Sequence, residues 1–148
     1  MIPLKSSAPL PKSVPTLNAP VKVLIVGNNP LDLGHIQNHL DKVRETTFNL
    51  EFAFSSTDGY QRAMKFVPDC ILIDDSLSQK EMKVLVTTIR KNKSLKGIPL
   101  TLIKSSNYHS VPLSGFRDFL LRNSLTPSSL QRAIRSVLAK PNESFAVA

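Results

Sequence analysis

Apolar and polar positions along this chain alternate between two periods. Lys22–Val26 is a compact apolar run, and after Asn28-Asn29-Pro30 the residues Leu33, Ile36, Leu40 and Val43 recur at helical spacing. Phe48, Leu50, Phe52 and Phe54 alternate as in a half-buried strand. A helix is predicted over Asp58–Phe66, with Tyr60, Ala63, Met64 and Val67 turned inward. Cys70, Ile71, Leu72 and Ile73 then form a continuous apolar run, the pattern of a strand buried on both faces, and it ends abruptly in Asp74 and Asp75. Met82, Leu85, Val86 and Ile89 share one helical face, and Ile98–Ile103 and Phe116–Leu121 read as the fourth and fifth strands. The last helix has Thr126 as N-cap, Pro127 at its first position and a stripe of Leu130, Ala133, Ile134, Val137 and Leu138.

Strands alternating with helices imply an α/β fold, with a parallel sheet covered by helices on both faces and joined by right-handed crossovers. The fourth crossover breaks the rule. The stretch from Ser105 to Ser114 is short, poor in helix formers and interrupted by Pro112, so a loop is expected where a fourth helix would stand. Residues 1–20 carry prolines at 3, 9, 11, 15 and 20 and are expected to form a disordered arm, leaving a domain over 21–140 and a flexible tail over 141–148.

Composition narrows the class. The single cysteine, Cys70, excludes an internal disulfide, fits a reducing compartment and is expected to be buried and inert. Neither a signal peptide nor a membrane span is expected, so a cytoplasmic location follows. The net charge of +8 favours acidic partners. The basic residues are scattered, however, and no aromatic residues interleave with Lys91, Lys93 and Lys96 or with Arg132, Arg135 and Lys140, so they are read as solvated faces and nucleic acid is not expected as a partner. His35 and His39 stand one turn apart without a third ligand and are read as exposed side chains. Asp75 is read as a surface acid. Neither a glycine-rich phosphate loop nor a Gly-x-Ser-x-Gly elbow occurs, which removes nucleotide-binding and serine-hydrolase readings.

The candidate chemistry lies at the carboxyl ends of the predicted strands, where open α/β sheets place their ligands. The first strand delivers Gly27 and Asn28, the third Asp74, the fourth Lys104 and Ser105, and the fifth Arg122. An acid, a lysine and an arginine converging there suggest an ion-paired or anion-binding site. Read as blocks, VLIVGNNPLD, SSTDGYQRAMKFVPDCILID, IPLTLIKS, GFRDFLLRN and LTPSSLQRAIRSVL resemble, in order, the successive motifs of the response-regulator receiver domain of two-component signalling. The resemblance runs from about Val21 to Lys140 and implies a flavodoxin-like, doubly wound sheet of five parallel strands in the order 2-1-3-4-5.

The same resemblance makes Asp74 the equivalent of the phospho-acceptor. In active receivers an acidic pair, the acceptor and a backbone carbonyl hold magnesium; here Gly27 and Asn28 occupy the acidic-pair positions and offer at most one neutral amide oxygen. Lys104 takes the place of the switch hydroxyl and Arg122 that of the lysine after the fifth strand. Asp74 is expected to pair with Lys104 or Arg122, chiefly with Lys104 as a fixed cation in place of the metal. The implied function is a non-catalytic pseudo-receiver with no cofactor, acting on a protein partner such as a histidine kinase or other signalling protein. With no further output domain expected, its partner surface is placed at Tyr108, Phe119, Arg132 and Arg135. The alternative is an atypical response regulator, phosphorylated on Asp74 in a phosphorelay and dependent on magnesium.

Overall fold

The structure, a computed structural model, describes residues 19–105 and 115–139. Five strands, β1 (Val21–Val26), β2 (Phe48–Ala53), β3 (Cys70–Asp74), β4 (Leu100–Lys104) and β5 (Asp118–Leu121), form one sheet in the order β2-β1-β3-β4-β5. Every pairing is parallel. This is the expected 2-1-3-4-5 order. The helices are α1 (Pro30–Asp41), α2 (Ser56–Phe66), α3 (Gln79–Lys91) and α4 (Pro127–Leu138), with a short 3-10 turn at Arg122–Ser124. The described residues hold four α-helices, one between each successive pair of the first four strands and one after β5. Most of the crossover from β4 to β5 (106–114, with Tyr108 and Pro112), nearly all of the proline-rich arm, and the tail lie outside the described residues.

Strand alternation divides the core between the two faces of the sheet. Leu24, Val26, Ile71, Ile73, Leu100 and Leu102 pack against α2 and α3. Val23, Ile25, Cys70, Leu72 and Ile103 pack against α1 and α4. All five residues of β3 are buried, as befits the central strand. Each helix starts on a side chain that accepts from a free backbone N–H: Asn29 for α1, Ser55 for α2, Ser78 for α3 and Thr126 for α4. At α4 the cap is reciprocal, since Ser129 Oγ also accepts from the Thr126 N–H at 2.9 Å. Arg90 ties the end of α3 to the next strands by donating to the carbonyls of Lys96, Ile98 and Gly115. Gly115 has φ +92°, and a Cβ there would lie 2.5 Å from Val86 Cγ1, so only glycine suits this turn.

Several boundaries and faces differ from expectation. β4 begins at Leu100 rather than Ile98, and β5 at Asp118 rather than Phe116, although Ile98 and Phe116 are buried just before their strands. Phe54 lies past the end of β2 and is exposed, and Val43 lies past the end of α1. The buried side of α2 is Gly59 and Ala63, flanked by partly buried Tyr60 and Phe66. Met64 and Val67, expected inward, are each 50% exposed. Val67 is the left-handed C-cap of α2, with φ 47°.

Candidate functional site

The carboxyl edge of the sheet gathers Asp74, Asp75, Asp32 and Arg122. Asp74 is 0% exposed at the end of β3. Its Oδ1 accepts from Arg122 Nη2 at 2.6 Å, and its Oδ2 from the Ser76 backbone N–H at 3.1 Å. The same Nη2 donates to Asp75 Oδ1 at 3.0 Å and stands 3.6 Å from Asp32 Oδ2. One guanidinium nitrogen therefore serves three carboxylates. Burial works to lower the Arg122 pKa, but the bond and charge of Asp74, with Asp32 and Asp75 behind it, outweigh burial and hold it above its ordinary range.

Asp75 is a correction. The expected surface acid is nearly enclosed, with 8% of its side chain exposed. Its backbone N–H donates to the Ile103 carbonyl, and its Oδ2 accepts from the Ser105 N–H and hydroxyl at 2.7 and 2.9 Å. It thereby ties the end of β3 to the end of β4. Asp32 was missed for a different reason. An acid in the first turn of a helix reads as charge compensation for the helix dipole. The signal available was that α1 follows the carboxyl end of β1, so its first turn borders the crevice.

Lys104 is the second correction: it does not pair with Asp74. In the β3–β4 register Asp74 is matched with Ile103, not Lys104. Ile103 packs on the α1–α4 side, so Asp74 points there and Lys104 points to the α2–α3 side. Arg122 follows Leu121, which is registered with Lys104, so alternation returns it to the face of Asp74. The Lys104 ammonium instead lies 5.3 Å from the centre of the Phe119 ring.

Of the two positions read as the acidic pair, neither carries a carboxylate, and Gly27 is closed. A Cβ on Gly27 would sit 2.8 Å from Leu33 Cδ2, 2.9 Å from Asp74 Cβ and 3.0 Å from Ser76 Oγ. That serine hydroxyl accepts from the backbone N–H groups of Asn28 at 2.8 Å and Asn29 at 3.3 Å, so the loop after β1 is bonded to the loop after β3. Asn28 itself is exposed. A divalent ion here would need several free oxygen ligands. Asp74 has both oxygens engaged, Asp75 and Asp32 face Arg122, and among the described residues no group of three or more His, Cys, Asp or Glu could hold a metal ion. This donor set does not fit magnesium.

The remaining candidate residues scatter. Phe119 is 44% exposed on β5, and Arg132 is exposed on α4. Arg135 reaches Thr46, before β2, at 3.4 Å. β2 and β5 are opposite edges of the sheet, so Arg135 and Phe119 do not share one surface. Tyr108 lies outside the described residues. His35 is exposed and His39 half-buried. Burial, then Lys42 and His35, lower the pKa of His39. Among the described residues no helix is long and apolar enough to cross a membrane.

No protein-family model matches the chain, and no curated protein does either. Solved structures do match. A putative response regulator from Chloroflexus aurantiacus J-10-fl superposes with a TM-score of 0.72 at 20% identity, over 82% of this chain and 100% of that one. The receiver domain of a sensor histidine kinase from Pseudomonas aeruginosa PAO1, which has a magnesium ion coordinated in its active-site cleft, gives 0.69 at 17% identity, over 82% and 100%. A chemotaxis response regulator of Vibrio cholerae gives 0.68 at 17%, over 80% and 99%. With its sheet order, its crossovers and its carboxyl-edge crevice, the chain has the fold of the response-regulator receiver domains.

Proposed function

We propose that this domain is a non-catalytic, receiver-like signalling module that works by contact with a protein partner, a histidine kinase or another signalling protein in the cytoplasm, and not by magnesium-dependent phosphorylation. The observation that carries the reading is the occupancy of Asp74. One oxygen holds Arg122 at 2.6 Å and the other the Ser76 N–H at 3.1 Å, and the carboxylate is fully enclosed. A phospho-acceptor needs an oxygen free to attack phosphorus and a cation to offset the incoming charge. Here the cation is already spent on the carboxylate itself. The closed space at Gly27 supports the same reading, because a carboxylate side chain at that position, expected of an active receiver, would have no room beside Leu33, Asp74 and Ser76.

Incubation with acetyl phosphate and magnesium, read by intact mass, tests the proposal. The mass is expected to stay unchanged. A phosphoryl adduct that disappears in Asp74→Asn would overturn it and restore the phosphorelay alternative, with Asp74 as nucleophile.

A further inference from the structure

We infer that the cleft between α2 and the edge strand β2 binds a phosphomonoester borne on a sugar, with Lys22 and Lys65 holding the phosphate. The cleft has a volume of about 620 Å³. That lies within the range of roughly 300–1,000 Å³ usual for small-molecule sites.

The floor follows from strand alternation. Lys22 is registered with Asn49 and Leu24 with Glu51, so Lys22, Asn49 and Glu51 share the face that Leu24 and Val26 turn toward α2. On its other face β2 turns Phe48, Leu50 and Phe52 onto the core. The polar residues of β2 are thus confined to the side under α2. Because β2 is a terminal strand, no neighbouring strand walls the cleft. Its wall is one stripe of α2, where Asp58, Gln61, Arg62 and Lys65 recur at spacings of three and four.

Charge pairing leaves one end of the cleft cationic. Arg62 is tied to both acids, 3.1 Å from Asp58 Oδ1 and 3.6 Å from Glu51 Oε1. Lys22 and Lys65 pair with no carboxylate among the described residues. The Lys22 ammonium stands 4.9 Å from the centre of the Phe66 ring, which positions it without neutralising it. The Asn49 and Gln61 side chains are exposed and bond to no other described residue.

These groups select the ligand. Lysine binds phosphate as a point charge, and two lysines suit a phosphomonoester dianion better than a single carboxylate. Free amides both donate and accept, as sugar hydroxyls do. The site does not depend on Asp74, which points to the opposite face of the sheet.

The test is an amide chemical-shift titration of the labelled chain, at fixed ionic strength, with ribose 5-phosphate, AMP, ribose and inorganic phosphate. Ribose 5-phosphate is expected to shift Lys22, Asn49, Glu51 and Gln61–Phe66, and to bind more tightly than ribose or inorganic phosphate. Still tighter binding of AMP would assign the ligand to the nucleotides, and weaker binding to the simple sugar phosphates. Lys22→Gln and Lys65→Gln should each weaken binding by about tenfold. Lys65→Arg should retain it and Arg132→Gln, on α4, should leave it unchanged; the spectrum of each variant reports its fold. Absence of saturable shifts at millimolar ligand, shifts centred on Asp74 or α4, equal binding of inorganic phosphate, or undiminished affinity in the two glutamine variants would each overturn the inference.

Discussion

Asp74 is enclosed with a single cation, and that arrangement sets the largest expected effects of substitution. Arg122→Met leaves a fully buried carboxylate without its counter-charge, a loss of about 3–5 kcal/mol in urea unfolding. Adding Asp74→Asn should recover much of that loss, because the penalty comes from the stranded charge; a double variant no more stable than Arg122→Met would disprove the pairing. Gly27→Asp should cost about 1–3 kcal/mol by overpacking against Leu33, Asp74 and Ser76, without creating a metal site. Burial, helped by Asp69, pushes the Cys70 thiol up from 9.0 to about 12. The folded state therefore keeps a proton that the unfolded chain gives up. The stability linked to Cys70 is complete below pH 9 and declines as pH rises toward about 12. Native protein at neutral pH should not react with a thiol reagent until it unfolds. Asp74 was legible in the sequence because a buried apolar run stops at it. Its partner was not, because choosing between Lys104 and Arg122 requires the register of three strands, and a shift of one residue reverses every side chain.

Helix ends and faces show a similar division. The N-cap of α4 was readable from Thr126-Pro127, and its apolar stripe packs as expected, with Leu130, Ala133, Ile134 and Val137 buried. Thr126→Ala should cost about 1 kcal/mol in thermal or urea unfolding, since it removes the hydroxyl that accepts from the Ser129 N–H while the Thr126 N–H keeps its bond to Ser129 Oγ. The inward face of α2 was misread because its contact with the sheet is made by small residues. A Cβ on Gly59 would come within 3.3 Å of Val26 and 3.4 Å of Leu85, so the helix approaches closely along Gly59 and Ala63. Such a contact leaves little apolar signal, and Met64 supplies a false one. Val67 closes α2 in the left-handed region with its side chain half exposed. Val67→Gly should therefore stabilise the domain, by about 1 kcal/mol. A fall in Tm for that variant would mean that its side chain contributes more packing than its exposure indicates.

At the scale of the whole molecule, the architecture was more legible than the site. Five strands alternating with helices made a parallel sheet readable, while the order β2-β1-β3-β4-β5 followed from the resemblance to receiver domains. The site was less readable because it depends on which side chains meet across separate elements: Ser76 and Leu33 around Gly27, and Asp32 and Asp75 around Arg122. These contacts tie α1, β3, β4 and the end of β5 together through one guanidinium, so the crevice has its cation without recruiting one from solution. Calorimetric titration of the domain with magnesium chloride examines that substitution directly. No saturable heat at millimolar magnesium is expected, in the original sequence or in Asp74→Asn. Saturable binding that Asp74→Asn abolishes would show that Arg122 does not fill the place of the metal.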